Sequence, residues 1–287
     1  MRMKGIQMDN CQKIERSIIT KFRKSIWRGF TRALSDYRLI QPGDHIAACI
    51  SGGKDSFLMA KCLQEIQRHG HTPFELSFLV MDPGYHPLNR RLIEENAELM
   101  ELPIHIFETD IFDSVAGMDQ NPCYMCAKMR RGHLYKNAQA LGANKIALGH
   151  HFDDVIETVL LSMLYGAEMK TMMPKLRSTN YPGMELIRPM YMVREKDIVA
   201  WRQVNHLTFL NCACRFTENC ALGDGGGGKR AEIKALIAQM AKTNPNVEMN
   251  IFRSCHDVNL ETVIGYKKGG VPHPFAEEYD LTIPSEE

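Results

Sequence analysis

The hexapeptide Ser51-Gly-Gly-Lys-Asp-Ser56 constrains the fold of this chain more than any other segment. It follows the apolar run 45–50, which predicts a buried strand, and it leads into residues 55–68, whose apolar spacing predicts a helix. Two glycines let the backbone approach an anion closely, and the free N–H groups of a helix N-terminus, two serine hydroxyls and Lys54 attract it. The segment predicts a phosphate site, and it differs from the GxxxxGK[ST] loop of kinases and GTPases.

Strands and helices alternate along the first part of the chain. The strands are predicted at 45–50, 75–82, 104–107 and 145–149, and the helices between and after them at 55–68, 88–100, 130–141 and 151–165. This order predicts an α/β fold, with a parallel sheet flanked by helices and ligands bound beyond the carboxyl ends of the strands. Later segments are predicted as a short strand at 185–189, helices at 195–204 and 230–242, and an irregular tail from 265.

Three regions follow from these patterns: an N-terminal basic amphipathic helix over 1–40, a nucleotide-binding domain over 41–210, and a C-terminal region over 211–287. In the first region apolar residues recur at every fourth position from Ile14 to Leu34. The remaining positions are rich in cations, namely Lys13, Arg16, Lys21, Arg23, Lys24, Arg28 and Arg32. They form either the solvated face of a packed helix or a stripe that contacts an RNA backbone.

Composition sets broad limits on the function. Lysine and arginine total 35 and aspartate and glutamate 34, so the formal net charge is +1, which neither requires nor excludes a nucleic-acid partner. The chain has no run of about 20 apolar residues and no segment shaped like a signal peptide, so we expect a cytoplasmic protein that does not enter membranes. Clustered cysteines in such a protein indicate metal binding or catalysis rather than disulfides.

A second motif, Gly149-His-His-Phe-Asp-Asp154 followed by Glu157 and Thr158, lies after the predicted strand 145–149. Asp153 and Asp154 are adjacent carboxylates at a strand end, where they could hold Mg²⁺ against phosphates. They could instead be acidic residues of a first helical turn, favoured by the helix dipole. The two interpretations are compatible.

Four of the nine cysteines stand alone, and the other five form two groups, the CxxC pair Cys123 and Cys126 and a later set of Cys212, Cys214 and Cys220. Four of these five, Cys123, Cys126, Cys212 and Cys214, would suffice for a zinc site. A redox pair would need a thioredoxin-like βαβ context, which is missing here. Three cysteines holding an iron–sulfur cluster would leave one iron open for sulfide or substrate. Unrelated buried thiols are the remaining alternative.

These motifs carry a family resemblance. Residues 51–56 resemble the PP-loop of the ATP pyrophosphatases, which cleave ATP between the α- and β-phosphates, and residues 149–158 resemble the GHxxDD…ET signature of their tRNA-modifying branch. Together with the segment 122–132, which carries the CxxC pair, and the later cysteines, residues 20–255 resemble the TtcA-like tRNA 2-thiocytidine synthetases.

The resemblance implies an adenine nucleotide alpha hydrolase-like (PP-loop) fold. It implies an ATP-dependent enzyme that adenylates the C2 oxygen of a tRNA cytidine and replaces it by sulfur through a [4Fe–4S] cluster, with ATP and Mg²⁺ as further cofactors. It implies cluster ligation by Cys123, Cys126 and Cys212. Cys214 competes for the third position, because Cys212-Ala-Cys214 departs from the family's CxxC pair. Expected partners are tRNA, a sulfur donor such as a cysteine desulfurase, and a second copy in a homodimer.

The same resemblance implies roles for single residues. Catalytic roles fall on Lys54, Asp55, Asp154 and Arg130. The ATP and pyrophosphate site comprises Ser51, Gly52, Gly53, Lys54, Asp55, Ser56, Asp82, Gly149, His150, Asp153 and Asp154, with Mg²⁺ at the last two. Lys128, Arg131 and Lys136 are candidates for contacts to RNA phosphates, or for a solvated helix face.

Two alternatives remain. A tRNA 2-thiouridine synthetase shares the fold, but such enzymes usually carry extra zinc-ribbon cysteines, and only Cys11 and Cys255 lie toward the two ends of this chain. The second alternative is a PP-loop nucleotide-binding protein in which zinc has a structural role. The Gly-rich segment 223–228, which we expect to be mobile, is unusual for the family and bears on which RNA or sulfur donor is used.

Overall fold

The computed structural model describes residues 10–116, 122–210 and 228–281. Its centre is a six-stranded sheet in the order β3-β2-β1-β4-β6-β5. The strands are β1 (His45–Ile50), β2 (Glu75–Asp82), β3 (Ile104–Glu108), β4 (Lys145–Ala147), β5 (Lys175–Arg177) and β6 (Glu185–Ile187). All neighbouring pairs are parallel except β5 with β6, at one edge. The predicted fold class is therefore confirmed.

The central strand β1 explains why the sequence forms a parallel sheet. Residues 46–50 are all buried, as expected of a strand covered by helices on both faces. The register pairs Ile50 with Val80 and Ala48 with Ala147, so the carboxyl ends of β1, β2 and β4 lie at one edge of the sheet. The two motif loops, which follow β1 and β4, are therefore neighbours at this edge.

Helices cover both faces of the sheet. They are α1 (Asn10–Ile19), α2 (Arg28–Asp36), α3 (Lys54–His69), α4 (Pro87–Leu99), α5 (Ile111–Ala116), α6 (Pro122–Ala140), α7 (Phe152–Gly166), α8 (Glu195–Val204), α9 (Lys229–Thr243), α10 (Val247–Ser254) and α11 (Phe275–Leu281). A 3₁₀ turn spans Leu260–Thr262. The predicted helix over 130–141 in fact begins at Pro122, because proline fits the first position of a helix, and α6 therefore includes the CxxC pair.

The N-terminal helix is not the single helix predicted. A π-helical segment, Arg23–Trp27, lies between α1 and α2. The strict four-residue spacing is longer than the 3.6 residues of an α-helical turn. On an ideal α-helix the apolar positions would therefore move about 160° around the helix axis over four such steps. A wider π turn offsets part of this rotation. It keeps the apolar face on the core, where the buried residues are Ile14, Ile18, Phe22, Ile26 and Phe30.

Residues 265–281 form regular structure, contrary to the prediction of an irregular tail from residue 265. This segment forms an antiparallel hairpin, β7 (Gly265–Lys268) and β8 (Val271–Pro274), followed by α11. Gly269 and Gly270 join the strands with positive φ angles of 61° and 84°. This is the backbone of a two-residue type I′ turn, for which glycine pairs are favoured.

Three hydrophobic clusters hold these layers together. The largest packs α1, α2, α3, α4 and α8 on one face of the sheet, and a second packs α6 on the other. The third joins α7 to α9 and α10, where Phe152 stacks on Phe252 with ring centroids 4.8 Å apart. The C-terminal helices α9 and α10 therefore rest directly on the helix that carries the second motif.

Candidate active site

The loop 51–56 is closed by its own serines. The Ser56 hydroxyl accepts from the Ser51 N–H at 3.1 Å and donates to the Gly53 carbonyl at 2.9 Å. Helix α3 starts at Lys54 with no side-chain cap, so its first N–H groups remain directed at the loop. This is the arrangement that suits an anion at a helix N-terminus.

Two of the predicted site glycines leave no room for a side chain. Gly52 has φ +89°, and a Cβ there would lie 2.7 Å from a methyl carbon of Leu210, whose N–H donates to the Gly52 carbonyl at 3.1 Å. A Cβ on Gly149 would lie 3.0 Å from the backbone nitrogen of Ser56. The glycines thus allow the two motif loops, and the segment that ends at Leu210, to pack closely.

A cleft of about 430 Å³ opens beside the loop 51–56. Its walls come from α3, α7, α8 and α9, and charged residues predominate. The lining residues are Lys54, Asp55, His151, Asp154, Glu157, Glu195, Gly228, Arg230, Ala231 and Lys234. The structure therefore brings together three of the four predicted catalytic residues, Lys54, Asp55 and Asp154.

The charged groups around the cleft form one continuous chain of contacts within 4 Å, which we call the charge chain. Glu195 bridges two lysines, with Lys54 at 3.2 Å from one carboxylate oxygen and Lys234 on the other. Lys54 also contacts Asp55 at 3.1 Å, and the chain continues through His151 to Asp154. It ends at Arg230, which lies 3.5 Å from Asp154 and 2.8 Å from Glu157.

The charge chain sets the ionisation of its carboxylates. Burial acts to raise the pKa of Glu195, but the hydrogen bond from Lys234 and the positive charge of Lys54 outweigh it and hold that pKa at about 2. The side chain of Glu157 is only 6% exposed, and burial raises its pKa although Arg230 is its partner. Asp55 Oδ1 is buried and has no hydrogen-bond partner among the described residues.

Asp153 and Asp154, predicted as the magnesium site, have different surroundings. Asp153 accepts from the Glu195 N–H at 2.7 Å and from Arg194 at 3.3 Å, so it fixes the start of α8. Asp154 forms a capping box with His151, accepting the His151 N–H at 3.0 Å, while its other oxygen faces Arg230. Both acidic residues therefore belong to the first turn of α7, and of the two only Asp154 lines the cleft.

His150 lies next to the cleft in a cationic environment. Arg188, itself buried, donates to His150 Nδ1 at 3.4 Å, which leaves Nε2 as the protonated nitrogen of the neutral ring. Burial and the charge of Arg188 lower the pKa of His150 from its usual 6.5 to about 4. The ring is therefore uncharged at neutral pH and can donate through Nε2.

Asp82 and Arg130, also predicted site residues, lie outside the cleft lining. The Asp82 carboxylate at the end of β2 accepts from the backbone N–H groups of Gly84 and Tyr85 and pairs with Arg90 at 2.8 Å. Burial acts to raise the Asp82 pKa, but these hydrogen bonds keep it below its usual range. Arg130 lies half-buried on α6.

The structure describes only some of the cysteines that are predicted as metal ligands. Cys123 and Cys126 occupy the first turn of α6 at i and i+3, which places them on one face of the helix. Cys126 is half-buried against the largest hydrophobic cluster. The side chain of Cys123, and Cys212, Cys214 and most of the Gly-rich segment, lie outside the described residues.

The donor sets fit the predicted metals. In the parts of the chain that the structure describes, no three His, Cys, Asp or Glu side chains form a metal-binding group. Magnesium needs only one or two carboxylates when phosphates supply further oxygens, and Asp55 and Asp154, which both line the cleft, are carboxylates of this kind. A CxxC pair in the first turn of a helix suits a soft metal or cluster.

Sequence reasoning missed Glu195, Arg230 and Lys234 as cleft residues, and it quoted Glu157 without a role. A signal was present for two of them. Arg230 and Lys234 are cations at i and i+4 in a predicted helix, directly after a Gly-rich segment, which places them on one face of that helix. Glu195 gave no such signal, because only the tertiary fold brings α8 to the cleft.

Among the described helices, none combines the length and the apolar character needed to cross a membrane.

Comparison with known proteins identifies relatives over most of the chain. Residues 23–215 match the sequence profile of the PP-loop domain family. The tRNA-cytidine(32) 2-sulfurtransferase of Alcanivorax borkumensis is 35% identical over 254 residues, which cover 87% of this chain and 86% of the relative. The tRNA-cytidine(32) 2-sulfurtransferase of Shewanella amazonensis is 34% identical over 254 residues, which cover 87% and 77%.

Among solved structures, the U34-tRNA thiolase NcsA from Methanococcus maripaludis with its [4Fe–4S] cluster superimposes with a TM-score of 0.65. The alignment covers 88% of this chain and 82% of that chain, at 19% sequence identity. At this identity the likeness shows a shared fold.

Proposed function

Because the chain belongs to the PP-loop family and, within it, to the tRNA-cytidine(32) 2-sulfurtransferases, we propose that it replaces the C2 oxygen of a tRNA cytidine by sulfur in an ATP-dependent reaction. The identity to enzymes of this activity along nearly the whole chain carries the proposal. The family predicted from the motifs is confirmed. These relatives also give cytidine 32 as the nucleotide to test first, and they do not favour a 2-thiouridine synthetase.

The chain's own residues account for the activation step. The C2 oxygen of a pyrimidine is a poor leaving group, and transfer of AMP from ATP turns it into a good one. The loop 51–56 would bind the phosphates through the N–H groups at the start of α3 and through Lys54, whose charge stabilises the departing pyrophosphate. Neutral His150 can donate a hydrogen bond to an oxygen that gains charge, without adding a proton to the site.

Metal ions would complete the site. Mg²⁺ was predicted at Asp153 and Asp154; the contacts favour Asp154 with the partnerless oxygen of Asp55, while Asp153 holds α8 in place. Bound there, Mg²⁺ would neutralise phosphate charge. A [4Fe–4S] cluster held by Cys123, Cys126 and Cys212, or by Cys214 in the third position, would supply an iron with affinity for sulfur.

We propose that α6 presents the tRNA side of the site. Lys128, Arg131 and Lys136 are exposed on this helix, which also carries the CxxC pair and Arg130. Exposed cations suit RNA phosphates, and the target base would leave its stack to reach the adenylating groups. A cysteine desulfurase as sulfur donor and a homodimer remain proposals that rest on the family resemblance.

The proposal is tested with protein purified without oxygen. The protein is incubated with ATP, Mg²⁺, sulfide and tRNA that lacks thiolation, and the nucleosides are analysed by mass spectrometry. We expect 2-thiocytidine, its loss in Asp154→Asn, and about four irons and four acid-labile sulfides per chain.

Three outcomes would contradict the proposal. Appearance of 2-thiouridine would assign the chain to the other tRNA thiolases. Zinc in place of iron, without thiolation, would support a zinc-stapled nucleotide-binding protein. Full activity in Asp154→Asn would remove the adenylating role from this cleft.

A further inference from the structure

Helix α9 contributes two cations to the cleft that the PP-loop and the second motif do not account for. Arg230 and Lys234 lie four residues apart, so they share one face of the helix, and both line the cleft. Arg230 contacts Glu157 at 2.8 Å and Asp154 at 3.5 Å, while Lys234 contacts Glu195. Each cation is thus held by a carboxylate that belongs to another helix.

The charges lining the cleft are nearly balanced. The lining residues include three cations, Lys54, Arg230 and Lys234, and four carboxylates, of Asp55, Asp154, Glu157 and Glu195, which leaves one net negative charge before His151 is counted. A polyphosphate cannot bind stably among carboxylates unless cations turn toward it or metal ions accompany it. Besides a metal ion, the groups that can offset the phosphate charge are the cleft cations, and these would have to exchange their carboxylate partners for phosphate oxygens.

We propose that Arg230 and Lys234 bind the β- and γ-phosphates of ATP, and then the departing pyrophosphate, and that Glu157 and Glu195 hold these two cations in position when no nucleotide is bound. The inference rests on the proposed function for the identity of the phosphate ligand, and it adds α9 to the parts of the chain that bind it.

The positions of the partners support this exchange. Lys234 and Lys54 lie on the two oxygens of the same carboxylate, so the α9 lysine is close to the lysine of the loop 51–56. The Glu157 side chain is 6% exposed, whereas Arg230 is 48% exposed, so the carboxylate is fixed in the wall and the guanidinium is accessible from the cleft. A guanidinium fork also matches phosphate oxygens in two-point contacts.

The first test measures binding of inorganic pyrophosphate by calorimetry, with Mg²⁺ present and without tRNA. We expect Arg230→Gln and Lys234→Gln each to weaken binding about 10- to 100-fold, the loss expected for a charge-assisted hydrogen bond. Lys242→Gln is the matched control, since Lys242 is exposed on the same helix, about 18 Å from Arg230 and about 12 Å from Lys234 along the helix axis. Unchanged affinity in both cleft variants would overturn the inference.

A second test separates phosphate binding from a purely structural ion pair. Without metal ions, Glu157→Gln should tighten pyrophosphate binding several-fold, because Arg230 loses its competing carboxylate. The same substitution in an Arg230→Gln background should then give no gain. If the gain is equal in both backgrounds, it comes from the lost negative charge alone and Arg230 does not contact the ligand.

Failure of this inference and failure of the proposed function give different results. If pyrophosphate binding depends on Arg230 and Lys234 but no 2-thiocytidine forms, the inference stands and the assigned reaction is wrong. If 2-thiocytidine forms and the variants bind pyrophosphate as well as the unmodified chain does, the reaction stands and α9 has no phosphate role.

Discussion

His150 shows how one residue's surroundings select its chemical form. It follows the end of β4, where Arg188 donates to Nδ1 and burial disfavours a second proton. The motif 149–154 predicts that His150 belongs to the nucleotide site, but it does not predict the protonation state of the imidazole. That property comes from Arg188, which lies 38 positions later and meets His150 only because β6 pairs with β4.

The depressed pKa of His150 predicts how stability depends on pH. Below pH 6.5 the unfolded chain takes up a proton at this ring, whereas the folded chain does so only near pH 4, so the free energy of unfolding falls as the pH falls through this window. Denaturant unfolding at pH 7.0, 5.5 and 4.5 measures the slope. We expect His150→Gln to lose less stability than the unmodified chain over the same range. Equal slopes would show that His150 titrates normally.

Single residues of the site were predictable where they belong to one continuous motif. Lys54, Asp55 and Asp154 were identified in this way, and the cleft brings them together. Arg230 and Glu195 were not, because each enters through a different helix and contacts partners tens of residues away. A motif encodes local geometry, while such contacts are decided by how the helices pack.

At the level of elements, the start of α6 matters most for the proposed reaction. Pro122 occupies the first helical position, and the CxxC pair then fills the first turn. An extended CxxC segment would project its two thiols in different directions, whereas i and i+3 positions on a helix lie on the same face. The backbone of α6 thus places Cys123 and Cys126 on one helix face, which is the arrangement that the proposed cluster ligation needs.

The proposed cluster ligation by Cys123 and Cys126 predicts the outcome of cysteine substitutions. In protein purified without oxygen, Cys123→Ala and Cys126→Ala should each lose most of the bound iron and the cluster's visible absorbance, because a cluster with only two cysteine ligands is held weakly. Cys255→Ala, at the end of α10, should keep the full iron content. Iron retained in both CxxC variants would show that other residues hold the cluster.

The sequence predicted most elements of the sheet region and fewer of those around it. The strands and helices predicted between β1 and α8 appear close to their expected bounds, apart from α6, which begins eight residues earlier than predicted; buried parallel strands and amphipathic helices have clear apolar patterns. The short edge strand β5 and the small helix α5 lack such patterns. The β7–β8 hairpin was overlooked although Gly269-Gly270 is a recognised signal for a tight turn.

On the scale of the whole molecule, the third hydrophobic cluster sets the position of α9, which forms one wall of the cleft. It joins α7 to α9 and α10, and Phe252 lies at its centre, in ring contact with Phe152, Tyr191 and His256. The predicted boundary at residue 211 separates these helices from the sheet in sequence but not in space. Packing in this cluster therefore supports the position of α9 at the cleft.

Removing the Phe252 ring should show how far the fold depends on packing in this cluster. Phe252→Ala is expected to lower the free energy of unfolding by about 3–5 kcal/mol, the usual cost of deleting a buried aromatic side chain. Phe252→Leu, which refills most of the space, should cost clearly less. Denaturant unfolding of the three proteins measures both values. A loss below about 1 kcal/mol in Phe252→Ala would show that α10 does not support the fold as described.

The charge chain also restricts how the sequence can change over evolutionary time. Replacing Arg230 would take away the partner of the buried Glu157, and replacing Glu195 would take away the partner of Lys234. Glu195 illustrates the constraint, because its two lysines come from segments about 180 positions apart, Lys54 and Lys234. Tolerated substitutions at these positions should therefore occur in compensating pairs. Sequence changes at Lys54 and at Lys234 should then be correlated, although the two residues belong to distant parts of the chain.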